Sequence, residues 1–108
     1  MNLSKFKILL EGIFRRTEST FNTKRNEYAH DEDVFKSLKN GTSFSFHNEP
    51  EQVAYEYLCK HLESIQSILK KLPEEEPRYE LINEKFGDAI NYLIIIEGLL
   101  KERVNKEI

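Results

Sequence analysis

Cysteine, glycine, proline and tryptophan are scarce in this chain. Its 108 residues include one cysteine, four glycines, three prolines and no tryptophan. A single thiol excludes an internal disulfide and a zinc site built on several cysteines, and it favours a reducing compartment. The few glycines and prolines leave long stretches that glutamate, lysine, leucine and isoleucine dominate, and this composition favours helices.

The chain also lacks a strong excess of charge and a long apolar run. Its formal net charge of -3 gives no reason to expect general binding to nucleic acids or to anionic membranes. No apolar stretch reaches the ~20 residues that span a bilayer, and the N-terminal segment lacks a signal-peptide pattern. We therefore expect a single domain over residues 1–108, located in the cytoplasm.

The apolar periodicity predicts four helices, of which the first two are the less regular pair. Ser4 is the expected N-cap of a first helix that ends near residues 29–30. Asp31 is expected to cap a short second helix that includes Val34 and Phe35 and closes at Asn40–Gly41. The segment that follows, residues 42–48, is predicted to be a loop over the core, with a small strand-like segment as the weaker alternative.

The third and fourth helices have the longest apolar stripes. Pro50, which the first turn of a helix tolerates, opens the third helix, and Pro73 stops it after Leu72. The fourth helix runs from about Arg78 to Val104 and is nearly apolar all round over residues 89–96. The expected fold is all-α, a compact helical bundle of three long helices and one short helix. So short a bundle with so apolar a helix is expected to form a homo-oligomer.

Three groups of polar residues form patterns with fixed spacing. The first reads K-x-x-E-Y-A-x-x-x-D-x-F from Lys24 to Phe35. The second reads K-H-x-x-S-I from Lys60 to Ile65, and the third reads E-K-x-G-D-x-x-N-Y from Glu84 to Tyr92. With these three motifs in this order, the chain resembles a group of small phage proteins over roughly residues 20–100. That group is similar to the phage nucleotide-modification-associated domain and, more distantly, to the all-α NTP pyrophosphatases of the MazG type.

The resemblance implies a helical protein that handles a nucleotide-like ligand, often as an oligomer. The residue types in the motifs are compatible with such a ligand, because lysines neutralise phosphates, aromatic rings stack on bases and amides form hydrogen bonds with base edges. We expect a phage-type protein that sequesters a nucleotide or a nucleotide-derived immune signal in the host cytoplasm, without turnover and without a cofactor. The candidate ligand-binding residues are Lys24, Asn26, Glu27, Tyr28, Asp33, Phe35, Lys60, His61, Ser64, Asn91 and Tyr92.

A Mg²⁺-dependent enzyme is the main alternative. Glu84 and Asp88 lie one helical turn apart and offer oxygen ligands, as a nucleotide pyrophosphohydrolase or an accessory of phage nucleotide modification would require. The pyrophosphatases that the chain resembles use E-x-x-E and E-x-x-D pairs on two helices, whereas this pair is spaced E-x-x-x-D. The sequence therefore favours a binding protein over an enzyme, assigns no catalytic residue, and implies Mg²⁺ only under this alternative.

Three further interpretations stay open at this point. Glu84 and Asp88 can pair with Lys24, Arg25 or Lys60 and so orient the helices, and His61 can be a packing residue. The surface from Leu93 to Leu100 can bind a host protein. The segment Arg25–His30 also fits the R-N-x-x-x-H pattern of HEPN ribonucleases, whose arginine and histidine act on the RNA phosphate without a metal.

Overall fold

The computed structural model describes residues 1–28 and 33–104, and it describes the side chains of all of these except residues 24–28. Over these ranges the chain is helical and contains no strand, so the predicted all-α class with three long helices and one short helix is confirmed. No helix in these ranges is both long and apolar enough to cross a bilayer. The helices are α1 (Leu3–Tyr28), α2 (Lys36–Gly41), α3 (Pro50–Lys70) and α4 (Tyr79–Arg103), with a 3-10 turn at Thr42–Phe44.

The chain divides into two compact units, Met1–Val34 and Phe35–Ile108, and the single domain expected from the sequence stays a prediction. The first unit contains α1. The side chain of Asn2 caps this helix, because its Oδ1 accepts a hydrogen bond from the backbone N–H of Lys5 at 2.9 Å. The prediction that Ser4 is the cap is wrong, since Ser4 already lies within the first turn. The predicted end of this helix, at residues 29–30, lies outside the described part of the chain.

The second helix begins later than predicted. Asp31, its expected cap, lies outside the described residues, and residues 33–35 are not helical. Phe35 occupies the N-cap position, with φ -99° and ψ 8°, so the helix starts at Lys36. It ends at Gly41 as predicted, but Gly41 keeps a right-handed φ of -62° and leads into the 3-10 turn. That turn replaces the beginning of the predicted loop.

Helices α3 and α4 form an antiparallel hairpin at the centre of the second unit. Pro50 lies in the first turn of α3 as predicted, and α3 ends at Lys70, close to the expected stop. Arg78 and Val104 are the caps of α4, which agrees with the predicted bounds. Six apolar side chains of these two helices are buried: Val53, Ala54, Leu58, Ile68, Ala89 and Leu99.

Phe35 and α2 cover one side of this hairpin. The ring of Phe35 lies directly against the backbone of α4, because a Cβ placed on Gly98 would lie only 2.7 Å from Cζ of Phe35. Position 98 therefore requires glycine for close approach rather than for an unusual backbone conformation. On the same side, Gly41 approaches the side chain of Val53 on α3. Phe35 and α2 thus partly cover the Gly98 side of the α3–α4 hairpin.

Candidate functional site

Residues of the second and third motifs meet where α3 contacts α4. Nδ1 of His61 lies 3.6 Å from Oδ2 of Asp88. The ring of His61 stacks on that of Tyr92, with centroids 5.4 Å apart and planes at 21°. Tyr57 lies beside Tyr92 at 5.8 Å, and Nζ of Lys60 lies 5.8 Å from the centre of the Tyr57 ring. We call these five side chains the aromatic cluster.

Helical spacing explains why these residues come together. Tyr57, Lys60 and His61 stand at i, i+3 and i+4 on α3, and Asp88 and Tyr92 stand at i and i+4 on α4. In the antiparallel hairpin, His61 meets Asp88 and Tyr57 meets Tyr92. The ammonium of Lys60 lies within the range of about 6 Å at which a cation is attracted to a ring face. The cluster therefore combines three neighbouring rings, of which Tyr57 and Tyr92 are tilted by 48°, with a cation beside Tyr57 and a carboxylate beside His61.

Asn91 adds a buried amide next to the cluster. It is only 6% exposed, and among the described residues no group forms a hydrogen bond with its Oδ1. Helical geometry turns it to the same side of the hairpin as Lys60 and Gly98. A buried amide oxygen without a partner costs roughly 1–3 kcal/mol, so it is a feature that needs an explanation. A ligand with a hydrogen-bond donor at this position would supply one.

Three of the remaining candidates have other surroundings. The hydroxyl of Ser64 donates to the backbone carbonyl of Lys60 at 3.3 Å, within its own helix. Phe35 packs on Gly98, which lies six residues beyond the last cluster residue of α4 and hence about 9 Å along the axis. Asp33 is half-buried and belongs to the first unit. The structure therefore does not bring Phe35 into the cluster.

Four candidate side chains of the first motif lie outside the part of the chain that the structure describes. They are those of Lys24, Asn26, Glu27 and Tyr28. The Arg25–His30 segment that fits the ribonuclease pattern lies there as well. Their roles in ligand binding or catalysis stay predictions.

The two candidate metal ligands, Glu84 and Asp88, have basic neighbours. Oε1 of Glu84 lies 3.6 Å from Nζ of Lys85, and its side chain is 61% exposed. The carboxylate of Asp88 faces His61. Within the described ranges, no three acidic, histidine or cysteine side chains converge as a metal-ligand set. The pairing interpretation named Lys24, Arg25 or Lys60 as partners, whereas the neighbours in the structure are Lys85 and His61. The side chains of Lys24 and Arg25 lie outside the described residues.

The sequence did not predict a charged network at the other end of the hairpin. Arg103 donates through Nε to Glu51 and through Nη2 to Glu49, and Nζ of Lys39 lies 2.6 Å from Glu102. The hydrogen bond from Arg103 lowers the pKa of Glu51, and the bonds to both glutamates raise the pKa of Arg103. A cavity of about 290 Å³ lies among these residues. Because the charges pair with one another, the network joins α2, α3 and α4 rather than presenting a free charge to a ligand.

Tyr57 is the cluster residue that the sequence interpretation missed as a site residue, because it also fits the apolar stripe of α3. Its i, i+4 relation to His61 is the signal that could have identified it. The charged network has no such signal, since its partners stand on different helices and follow no local pattern.

Comparison of the chain with family models, with curated proteins and with solved structures finds no match in any of the three. The chemistry of the cluster is therefore the main indication of function. Its parts are an aromatic surface, one ammonium group, one carboxylate and one buried amide.

Proposed function

We propose that this protein binds a nucleotide or a nucleotide-derived signal and holds it without turnover. The observation that supports this most is the meeting of two sequence motifs in one aromatic cluster. Stacking of a base on an aromatic side chain is worth about 1–3 kcal/mol, and Tyr57 and Tyr92 offer such surfaces. The ammonium of Lys60 neutralises a phosphate, and the amide of Asn91 bonds to a base edge.

Binding fits the cluster better than turnover does. The carboxylate that would act as a base or a metal ligand, Asp88, faces His61, with its Oδ2 3.6 Å from Nδ1. Glu84 is paired with Lys85 and points largely into solvent. A protein that only sequesters a nucleotide needs contact area and complementary polar groups but no catalytic residues. A phage protein of this kind would remove a signalling nucleotide from an infected host cell. The Mg²⁺-dependent pyrophosphohydrolase is the alternative that the same experiment tests.

Release of captured ligand by heat separates the two functions. The purified chain is incubated with a panel of nucleotides, including cyclic and ADP-ribose-derived species, with and without Mg²⁺. It is then washed and heat-denatured, and the supernatant is analysed by chromatography and mass spectrometry. We expect one species to be recovered intact in an amount that matches the protein. Product that accumulates over many turnovers in a Mg²⁺-dependent manner would overturn the proposal.

Lys60→Ala should weaken nucleotide binding by about tenfold or more, because a hydrogen bond to a charged group contributes roughly 1.5–3 kcal/mol. Calorimetric titration with the nucleotide found in the panel measures the change. Lys70→Ala is the matched control, since Lys70 is an exposed lysine at the far end of the same helix. Equal losses in both variants would indicate general charge attraction rather than a site.

Two tyrosine substitutions test the aromatic contribution. Tyr92→Leu removes a stacking surface of the cluster and should weaken binding by about tenfold or more. Tyr28→Ala tests the first motif, which the resemblance assigns to the same ligand. Circular dichroism checks that both variants keep their helical signal. Normal binding by Lys60→Ala, Tyr92→Leu and Tyr28→Ala together would show that the assigned site is wrong.

A further inference from the structure

The side of the α3–α4 hairpin opposite Gly98 carries two rows of exposed apolar side chains. Members of each row are seven residues apart, close to two helical turns, so each row follows its helix axis. Helical geometry turns both rows to the same side of the hairpin, and the six residues are 39% to 58% exposed. We name this side the outer apolar face: Tyr55, Leu62 and Leu69 of α3 with Phe86, Leu93 and Leu100 of α4.

We propose that the outer apolar face binds the same face of a second copy of the chain, so that two hairpins form a four-helix core. With roughly half of each side chain exposed, the six present on the order of 500 Å² of surface. A standard interface buries about 800 Å² per partner, and the residues that flank the rows supply the remainder. A patch of this size is near the upper limit of what monomers expose. This inference does not depend on ligand binding.

The charge of the face favours a second copy over an unlike partner. Residues 55–69 and 86–100 are all described, and in them helical geometry places one charged side chain, Glu97, on this face. Lys101 neutralises it from the same helix, with Nζ 2.8 Å from Oε2 of Glu97. Two copies of a face without net charge do not repel each other, whereas a partner selected by charge would need a charged face. A twofold axis sets the rows of one copy against those of the other, and their spacing suits interdigitated packing.

The second unit also has too small a core for its size. Two of the six buried apolar side chains found among its described residues are alanines, which bury little surface. A unit of about 70 residues with such a core is marginal on its own. Pairing of the outer apolar faces adds six large side chains from each chain to the shared core. The proposed dimer thus supplies the burial that the unit lacks.

Sedimentation equilibrium of the full chain from low to high micromolar concentration tests the proposal. We expect a dimer. Leu93→Glu places a charge at the centre of the face and should weaken dimerisation by about a hundredfold or more, and Leu62→Glu should do the same from α3. Ile94→Glu is the matched control: Ile94 is 45% exposed and adjacent in sequence, but it points about 100° away around the helix, out of the face. It should remain dimeric.

Circular dichroism verifies that each variant is folded, and the two substitutions on different helices ensure that failure of one to fold does not decide the result. A wild-type chain that is monomeric at every concentration would overturn the proposal. So would a dimer that persists in both Leu93→Glu and Leu62→Glu, or one that Ile94→Glu dissociates equally. A monomer whose melting temperature falls in Leu93→Glu would show that the face is covered within the chain, which also overturns it.

Discussion

Asn91 allows stability and ligand binding to be separated at a single residue. Its buried amide oxygen has no described partner, which costs the folded protein roughly 1–3 kcal/mol. We expect Asn91→Leu, a change of similar volume, to leave the melting temperature unchanged or raise it, while nucleotide binding weakens by about tenfold. Thermal melts with and without nucleotide measure both effects. A large loss of stability would instead show that the amide has a structural role.

Gly12 and Gly98 should respond to alanine in opposite directions. Both lie inside long helices, where alanine is favoured over glycine by about 1 kcal/mol. Nothing lies within 4 Å of a Cβ at Gly12, so Gly12→Ala should raise the free energy of unfolding by about that amount. At Gly98 the Cβ would meet the ring of Phe35 at 2.7 Å. Because overpacking costs about 1–3 kcal/mol, Gly98→Ala should lower the free energy of unfolding by about 1 kcal/mol.

Denaturant unfolding of the two alanine variants measures this difference. Gly98→Ala should lose most of its cost when Phe35→Leu is introduced as well, since the shorter side chain leaves room for the methyl group. Equal gains in stability at both glycines would contradict the contact between Phe35 and α4.

At the scale of whole elements, the bounds of α3 and α4 and the end of α2 were predictable, whereas the start of α2 was not. The bounds of α3 and α4 follow from their apolar period and from Pro50 and Pro73, which act locally. A six-residue helix has too few turns to show a period. The start of α2 depends instead on Phe35 docking against Gly98, a contact between residues far apart in sequence. Such a contact cannot be predicted from a local sequence pattern.

The candidate site was predictable only in part, for the same reason. Spacing places Tyr57 and His61 on one face of α3, and Asp88 and Tyr92 on one face of α4. That these faces meet depends on the register of the hairpin, which tertiary packing sets. The same register brings Arg103 to Glu49 and Glu51. No local sequence pattern predicts this pairing.

The hydrogen bond between Arg103 and Glu51 should make the free energy of unfolding depend on pH in the acid range. This hydrogen bond lowers the pKa of Glu51, so this carboxylate stabilises the fold above its unfolded pKa of about 4.3 and ceases to do so as the pH falls through its folded value. We expect Glu51→Gln to cost about 1 kcal/mol at pH 7 and progressively less below pH ~4. Thermal melts between about pH 3 and 7 measure this.

A matched control is available in the connection between the long helices. Glu74 is an exposed glutamate there, and Glu74→Gln should leave the melting temperature close to that of the wild type across the same pH range. A difference between Glu51→Gln and the wild type that stays constant with pH would contradict a role for the carboxylate charge.

At the scale of the whole molecule, the two proposals use opposite sides of one hairpin. Lys60 and Asn91 lie on the side that Phe35 and α2 partly cover, whereas Leu62 and Leu93 belong to the outer apolar face. In a dimer formed through that face, Lys60 and Asn91 of each copy lie on the side of the hairpin that is turned away from the other copy. Each copy should therefore bind its ligand independently, and substitutions on one side should not affect the property assigned to the other.

Dimerisation should also make the melting temperature depend on protein concentration. Association with a second folded copy stabilises the folded state by mass action, so the wild-type melting temperature should rise as the concentration increases. Leu93→Glu should remove this dependence, while Ile94→Glu should keep it. Differential scanning calorimetry over a hundredfold range of concentration measures the trend. A wild-type value that does not change with concentration would argue against an obligate dimer.

The absence of tryptophan has an optical consequence for the aromatic cluster. Tyrosine dominates the intrinsic fluorescence of such a chain, and two of its five tyrosines, Tyr57 and Tyr92, are in ring contact with each other. A base stacked on these rings would quench their emission in proportion to the occupied fraction. The protein would thus report on its own occupancy, and a titration would need no label on either the chain or the nucleotide.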